Sequence, residues 1–226
     1  MMLNLFDQFM SPTLMGVPLM ILALLAPTLL IPYKLRLQTN RFNAMKLWMV
    51  KKSIKHLMQP LGQAAQEWAV MLLVLMFFLL LLNILGLFPY TFTPTTQLAM
   101  NLSLALPMWL MTVLTGAWNY PTRSLSHLLP MGTPKVLVPS LIIIETLSLL
   151  LRPLALGVRL TANLTAGHLL IQLISTAILS LFPLSLMISI STTILLVLLL
   201  LLEIAVAMIQ AYVFSLLMSL YLEENI

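Results

Sequence analysis

Long apolar runs dominate the pattern of the chain, and polar positions are confined to short segments between them. Three runs have the length of a membrane span, at residues 14–33, 68–88 and 98–118. A helix needs about 20 mostly apolar residues to cross a hydrocarbon core of about 30 Å. We therefore predict that each of these three runs is a transmembrane helix.

Two longer apolar stretches follow at residues 136–182 and 184–222, and Pro183 separates them. At a rise of about 1.5 Å per residue, a single helix over either stretch would be about twice as long as the hydrocarbon is thick. Each stretch is therefore a broken pair of spans or one strongly tilted helix. The second stretch contains no helix breaker, and Pro139 and Pro153 in the first permit bends without forcing a break. We expect two long, tilted helices.

The connector between the first two spans is basic, because seven of the eleven Lys and Arg residues lie in residues 34–55. Leu47, Val50 and Ile54 recur three and four positions apart, on the side opposite Lys52. This spacing predicts an amphipathic helix that lies on the membrane surface.

The Lys and Arg residues also indicate the orientation of the chain. Counted loop by loop, there are none before the first span, seven in the first loop, none in the second, two in the third and none in the fourth. This alternation agrees with about five membrane helices in one membrane domain, residues 1–226. Because basic loops stay on the side of insertion, we expect the N-terminus on the opposite side and the acidic C-terminal tail on the same side.

Composition supports an all-α integral membrane protein and excludes other classes. The chain is 61% apolar and 8% charged, whereas soluble domains carry about 25% charged residues. The net charge of +5 does not indicate nucleic acid, since the basic residues form one cluster beside the membrane and no stripe with exposed aromatics. Without cysteine there are no disulfides or thiolate chemistry, and the spacing of histidines and acids does not match a metal site.

The polar and ionisable residues inside the two long stretches break the apolar pattern. An ionisable group at the bilayer centre costs about 2.5–3.5 kcal/mol even on the mildest scale, so each one needs a partner or water. At about 100° per residue, most of those in the first stretch form one polar stripe, and His168 lies on the opposite face. The residues in question are Glu145, Arg152, Arg159, Asn163, His168, Gln172, Glu203 and Gln210.

Arg159 is the hardest of these residues to explain by local pairing. It has no acidic residue three or four positions away, and a guanidinium stays charged in any protein environment. Its counter-ion must therefore come from another helix or another subunit. By contrast, we expect Arg152 to pair structurally with Glu145, one or two helical turns away. Asn163 and Gln172 are also of the type that holds membrane helices together.

Two segments carry a family resemblance. Residues 148–168, SLLLRPLALGVRLTANLTAGH, resemble the signature of subunit a of F-type ATP synthases. Residues 83–90, NILGLFPY, resemble that family's segment at the end of the preceding span, and the similarity continues to Gln210. The opening residues and the length are similar to the mitochondrially encoded form.

The resemblance implies a proton-conducting stator subunit of an F-type ATP synthase, with no catalytic site of its own. In that family, subunit a packs two long tilted helices against a rotating ring of c subunits, each with one membrane carboxylate. Arg159 matches the arginine that faces this carboxylate and separates two aqueous half-channels. The resemblance also implies the mitochondrial inner membrane, with the N-terminus in the intermembrane space, and the C-terminus and the basic surface helix on the matrix side.

The other polar residues match the half-channels of the family. His168 and Glu203 match the inlet path from the intermembrane space, in an arrangement similar to the mitochondrial one. Asn163 and Gln210 match polar neighbours of the arginine, and Glu145 matches the exit path to the matrix. Taken alone, His168 is also compatible with a hydrogen-bonded interior histidine.

Other functions fit less well. An antiporter-like proton-translocating subunit of a respiratory complex is the main alternative, but such subunits use membrane lysines and glutamates, and no lysine lies inside a span here. A secondary transporter would show an inverted repeat or paired broken helices, and neither is found. A purely structural subunit leaves Arg159 without a role. The expected partners are the c-ring, peripheral-stalk and other membrane subunits, the lipid bilayer and the transported protons, with no cofactor, metal or nucleic acid.

Overall fold

The computed structural model describes residues 9–14, 16–30, 41–58, 68–88, 91–119, 121, 137–183 and 185–225. Within these ranges the elements are helical except for one small hairpin. Its strands are β1 (Thr13–Leu14) and β2 (Val17–Pro18), which pair antiparallel. Gly16 in the turn has a φ of 84°, a conformation that glycine adopts without the steric cost other residues meet.

Four of the described helices are long and apolar enough to cross a membrane, and one more apolar helix is shorter. This confirms the all-α membrane class. The helices are α1 (Leu19–Leu30), α2 (Arg41–Met58), α3 (Ala69–Gly86), α4 (Leu98–Asn119), α5 (Val138–Leu181) and α6 (Leu186–Asn225). The four helices long and apolar enough to cross are α3 to α6, and the shorter apolar helix is α1.

Helix α1 begins later than the apolar run suggests. The run was predicted as a span over residues 14–33, but the helix begins at Leu19 because the hairpin occupies the residues before it. The Leu19 amide donates to the Pro12 carbonyl at 3.0 Å, which closes the hairpin onto the first turn of the helix. Residues 31–33 lie outside the described residues.

Both long apolar stretches are single helices, as expected. Helix α5 has 44 residues and α6 has 40, and Pro153 lies inside α5 without ending it. Pro183 lies just after the end of α5. The helical conformation is disfavoured for the residue before a proline, so the helix ends before this position. The tilt of the two helices in a bilayer stays a prediction, as does the placement of α2 on the membrane surface.

The chain divides into two compact units, and each long helix contributes to both. The first unit comprises Met1–Pro32, Phe78–Met100 and Arg159–Tyr212, and the second comprises Tyr33–Phe77, Asn101–Val158 and Val213–Ile226. The grouping of residues 1–226 into one membrane domain stays a prediction.

A polar contact joins α3 to α6 inside the first unit. The Asn83 side-chain amide donates to the backbone carbonyl of Ala207 at 3.3 Å, and both residues are buried. A small residue such as alanine allows this approach between helices. Leu79, Leu82 and Leu160 are also buried in this unit.

The end of α3 depends on a close approach between Gly86 and Thr93. A Cβ atom on Gly86 would lie 2.6 Å from the Thr93 Cγ2 atom. Thr93 opens a buried 3-10 turn, Pro94–Thr96, against which α1 packs. The Thr96 hydroxyl donates to the Thr93 carbonyl at 2.7 Å. The glycine of the NILGLFPY segment is therefore needed for packing within the first unit.

In the second unit, α6 buries one side of its C-terminal part. Phe214, Met218 and Leu222 recur at helical spacing and are almost fully buried. On α5, Gly157 lies against α4, where an added Cβ atom would be 3.0 Å from the Leu102 Cδ2 atom. Leu156 beside it is also buried.

Candidate functional site

Helices α5 and α6 bring His168 and Glu203 together inside the first unit. His168 Nδ1 lies 3.9 Å from Glu203 Oε1, and the two side chains are 20% and 5% exposed. The distance exceeds a normal hydrogen bond, so direct proton transfer between them requires a bridging water or a small movement. The structure thus joins the two residues that the resemblance assigned to the inlet path.

Gly167 allows the Glu203 side chain to lie directly against the backbone of α5. A Cβ atom on Gly167 would lie 2.6 Å from Glu203 Oε1 and 3.1 Å from its Cδ atom. Contacts under about 3 Å are essentially never made by real Cβ atoms. The position beside His168 must therefore be a glycine if the carboxylate is to stay where it is. Sequence reasoning gave Gly167 no role of its own, although it stands in the family signature.

A cavity of about 900 Å³ in the first unit opens onto this pair. Its polar lining includes His168, Gln172, Ser175 and Glu203, and Phe9, Met10 and Pro12 form part of its wall. Within the described residues, both Glu203 oxygens, His168 Nε2 and Gln172 Oε1 have no hydrogen-bond partner. Buried polar atoms without partners are costly, and a roomy polar cavity can satisfy them with water. The arrangement suits a wet path that ends at a carboxylate.

Arg159 lies in the first unit and its side chain is exposed. In the part of the chain that the structure describes, it forms no ion pair. The described helices of this chain therefore supply no counter-ion, and a partner on another subunit stays a prediction. Asn163, one helical turn along α5, and Gln210 on α6 are both half-buried.

The expected pairing of Arg152 with Glu145 is wrong. In the second unit the Arg152 guanidinium donates to the carboxylate of Glu224, near the end of α6, and lies 5.2 Å from the centre of the Tyr221 ring. The reason is reach: Glu145 lies two turns away along α5, about 10 Å of axial rise, whereas Glu224 comes alongside from another helix.

Glu145 stays apart from these clusters. Its side chain is half-buried, and its backbone carbonyl accepts a hydrogen bond of 2.8 Å from the Ser148 hydroxyl. Among the described residues it forms no ion pair. Its assignment to an exit path stays a prediction.

Known proteins resemble the chain over its whole length. A sequence model of the family described as ATP synthase A chain matches residues 13–223. A protein of Struthio camelus described as ATP synthase F(0) complex subunit a is 63% identical over 227 residues, covering 100% of both chains. Proteins of the same description from Anas platyrhynchos and Salmo salar are 61% and 59% identical over 227 residues, again covering 100% of both chains.

Proposed function

The chain belongs to the ATP synthase A chain family, and on that premise we propose that it is the proton-conducting stator subunit of an F-type ATP synthase. Protons pass through two offset half-channels to and from the carboxylates of a rotating c-ring. This flow drives ATP synthesis elsewhere in the complex, and the chain itself carries no catalytic site. Family membership argues against the alternative of an antiporter-like subunit of a respiratory complex.

The inlet half-channel is the cavity that ends at His168 and Glu203. The proposal rests on this cavity, because its partly polar lining includes a half-buried imidazole and a buried carboxylate that lie 3.9 Å apart. Glu203 accepts a proton from water in the cavity, and the imidazole of His168 or the amide of Gln172 keeps the water chain in contact with it. General acid–base groups need such short paths, direct or through one water.

Arg159 is the barrier between the two half-channels. Its permanent charge favours the ionised form of a nearby carboxylate, so a protonated c-ring acid that approaches it must first release its proton. The exposed guanidinium is free to face a partner in this way. The same charge repels protons that would cross directly. Asn163 and Gln210 hydrogen-bond water or the passing carboxylate beside it.

Glu145 lines the exit half-channel on the matrix side, and Arg152 has a structural role through its pairing with Glu224. The chain works in the mitochondrial inner membrane, with its N-terminus in the intermembrane space and its C-terminus in the matrix. Its partners are the c-ring, the peripheral stalk and other membrane subunits of the synthase.

Substituting glutamine for Glu203 tests the inlet path. Glu203→Gln keeps the shape of the side chain but removes the exchangeable carboxyl proton. We expect proton flux through reconstituted synthase to fall by about tenfold or more, because acid–base groups contribute on the order of a hundredfold to proton transfer.

The matched control is Glu223→Gln, which alters an exposed acid at the end of α6. Subunit content is checked by native gel, so that loss of flux is separated from loss of assembly. Equal proton flux in Glu203→Gln, Glu223→Gln and the unaltered complex would show that the cavity is not the inlet.

A further inference from the structure

Helix α2 carries five exposed side chains on one face that no described part of the chain covers. Two are apolar, Met45 and Trp48, each with 60% of its surface exposed. The other three are cations. At about 100° per residue all five fall within an arc of about 80°. We call this the tryptophan face, and its members are Arg41, Met45, Trp48, Lys52 and Lys55.

The charges of the tryptophan face are not neutralised within α2. No Asp or Glu occurs between residues 41 and 58, and none of the three cations forms an ion pair within the described residues. The Lys52 Nζ atom lies 5.0 Å from the centre of the Trp48 ring, a cation–π contact that holds the ring among the charges. The face therefore presents a large apolar ring surrounded by positive charge.

The opposite side of α2 carries the apolar stripe. Leu47, Val50 and Ile54 lie about 120–180° from the centre of the tryptophan face around the helix axis. A surface helix places such a stripe in the headgroup region of the bilayer, which turns the tryptophan face toward water. Trp and Arg are among the residue types most enriched at the energetic centre of protein interfaces.

We propose that the tryptophan face binds an acidic protein segment of another subunit of the same complex. Trp48 and Met45 are buried in that contact, and Arg41, Lys52 and Lys55 pair with carboxylates of the segment. The proposal rests on the proposed function only in that the chain works inside a multi-subunit complex. An anionic lipid headgroup fits the charges but not the geometry, because the face lies opposite the stripe that enters the bilayer.

Site-directed photocrosslinking tests the proposal in the purified complex. The chain has no cysteine, so Trp48→Cys gives it a single thiol for a photoreactive maleimide. We expect an adduct with a peptide of another subunit that is rich in Asp and Glu, identified by mass spectrometry. Val50→Cys on the apolar stripe is the matched control, and we expect phospholipid adducts from it. If Trp48→Cys disturbs assembly, Met45→Cys carries the label on the same face.

Charge reversal separates a specific contact from mere proximity. With the label at position 48, the pair Lys52→Glu and Lys55→Glu should lower the yield of the protein adduct by about tenfold, since like charges at an interface are strongly unfavourable. Lys51→Glu changes an exposed lysine outside the face and should alter the yield by less than about twofold.

The proposal would be overturned if both labelled positions gave lipid adducts alone. It would also be overturned if Lys52→Glu and Lys55→Glu left the yield of the protein adduct unchanged. The experiment measures the adduct and not proton flux. A failure of the tryptophan-face proposal therefore leaves the proposed function standing.

Discussion

Replacing Gly167 with alanine places a methyl group where the Glu203 carboxylate lies. The added Cβ atom would be 2.6 Å from Glu203 Oε1 and 3.3 Å from its Cγ atom. Ordinary van der Waals contact begins at 3.4 Å, so the carboxylate must move by about 1 Å. Such a movement changes its distance from His168, which is 3.9 Å in the native arrangement.

The expected effect on stability is small, because two terms oppose each other. Alanine is about 1 kcal/mol more favourable than glycine inside a helix, and overpacking costs about 1–3 kcal/mol. The effect on transport should be larger, since a misplacement of about 1 Å in a reacting group can cost about a hundredfold in rate. We expect proton flux to fall by about tenfold or more while the complex still assembles.

Gly157→Ala is the matched control, on the same helix. Its Cβ atom would lie 3.0 Å from Leu102 Cδ2, the far end of a flexible side chain that can rotate away. Proton flux is measured in vesicles with a pH-sensitive dye, and assembly by native gel. Normal flux in an assembled Gly167→Ala complex would refute the claim that Glu203 works from its position against α5.

Two further predictions concern packing and pairing. Gly86→Ala should destabilise the complex by about 1–3 kcal/mol through its clash with Thr93. Adding Thr93→Ser, which removes the clashing methyl group, should restore the thermal unfolding temperature. A double variant that stays as unstable as Gly86→Ala would contradict this packing. A double-mutant cycle between Arg152→Gln and Glu224→Gln should give a coupling of about 0.2–1 kcal/mol, as expected for a partly exposed ion pair. The cycle of Arg152→Gln with Glu145→Gln should give none, and a larger coupling there would restore the rejected pairing.

The helices could be predicted because the membrane imposes their length and composition. Runs of apolar residues long enough to cross the hydrocarbon predicted α3 and α4. The absence of helix breakers predicted that α6 is unbroken. The start of α1 was missed because turn chemistry, and not hydropathy, decides it. Gly16 with its positive φ and the proline at the end of β2 place a hairpin inside an apolar run.

Helical periodicity could not predict the contacts between helices. Periodicity gives the face of one helix but not the rotation or depth of its neighbour. His168 and Glu203 were therefore paired only through the family resemblance, and the structure now brings them together. Helical spacing along α5 could not indicate Glu224 as the partner of Arg152, because Glu224 is 72 positions away on another helix.

Proton-driven ATP synthesis by Arg159→Ala is the measurement that tests the central claim most directly. Arg159 is an exposed cation with no acidic partner in the described part of the chain, and its proposed role is to meet the carboxylate of another subunit. Arg159→Ala and Arg159→Gln should abolish synthesis in assembled complexes. Arg159→Lys should also be badly impaired, because an ammonium lacks the planar donor fork and is more strongly hydrated.

Arg152→Gln is the control, since it removes a guanidinium of α5 whose partner lies within this chain. It should support synthesis close to that of the unaltered complex. Near-normal proton-driven synthesis by an assembled Arg159→Ala complex would contradict the account, and its loss with Arg152→Gln still active is the result we expect.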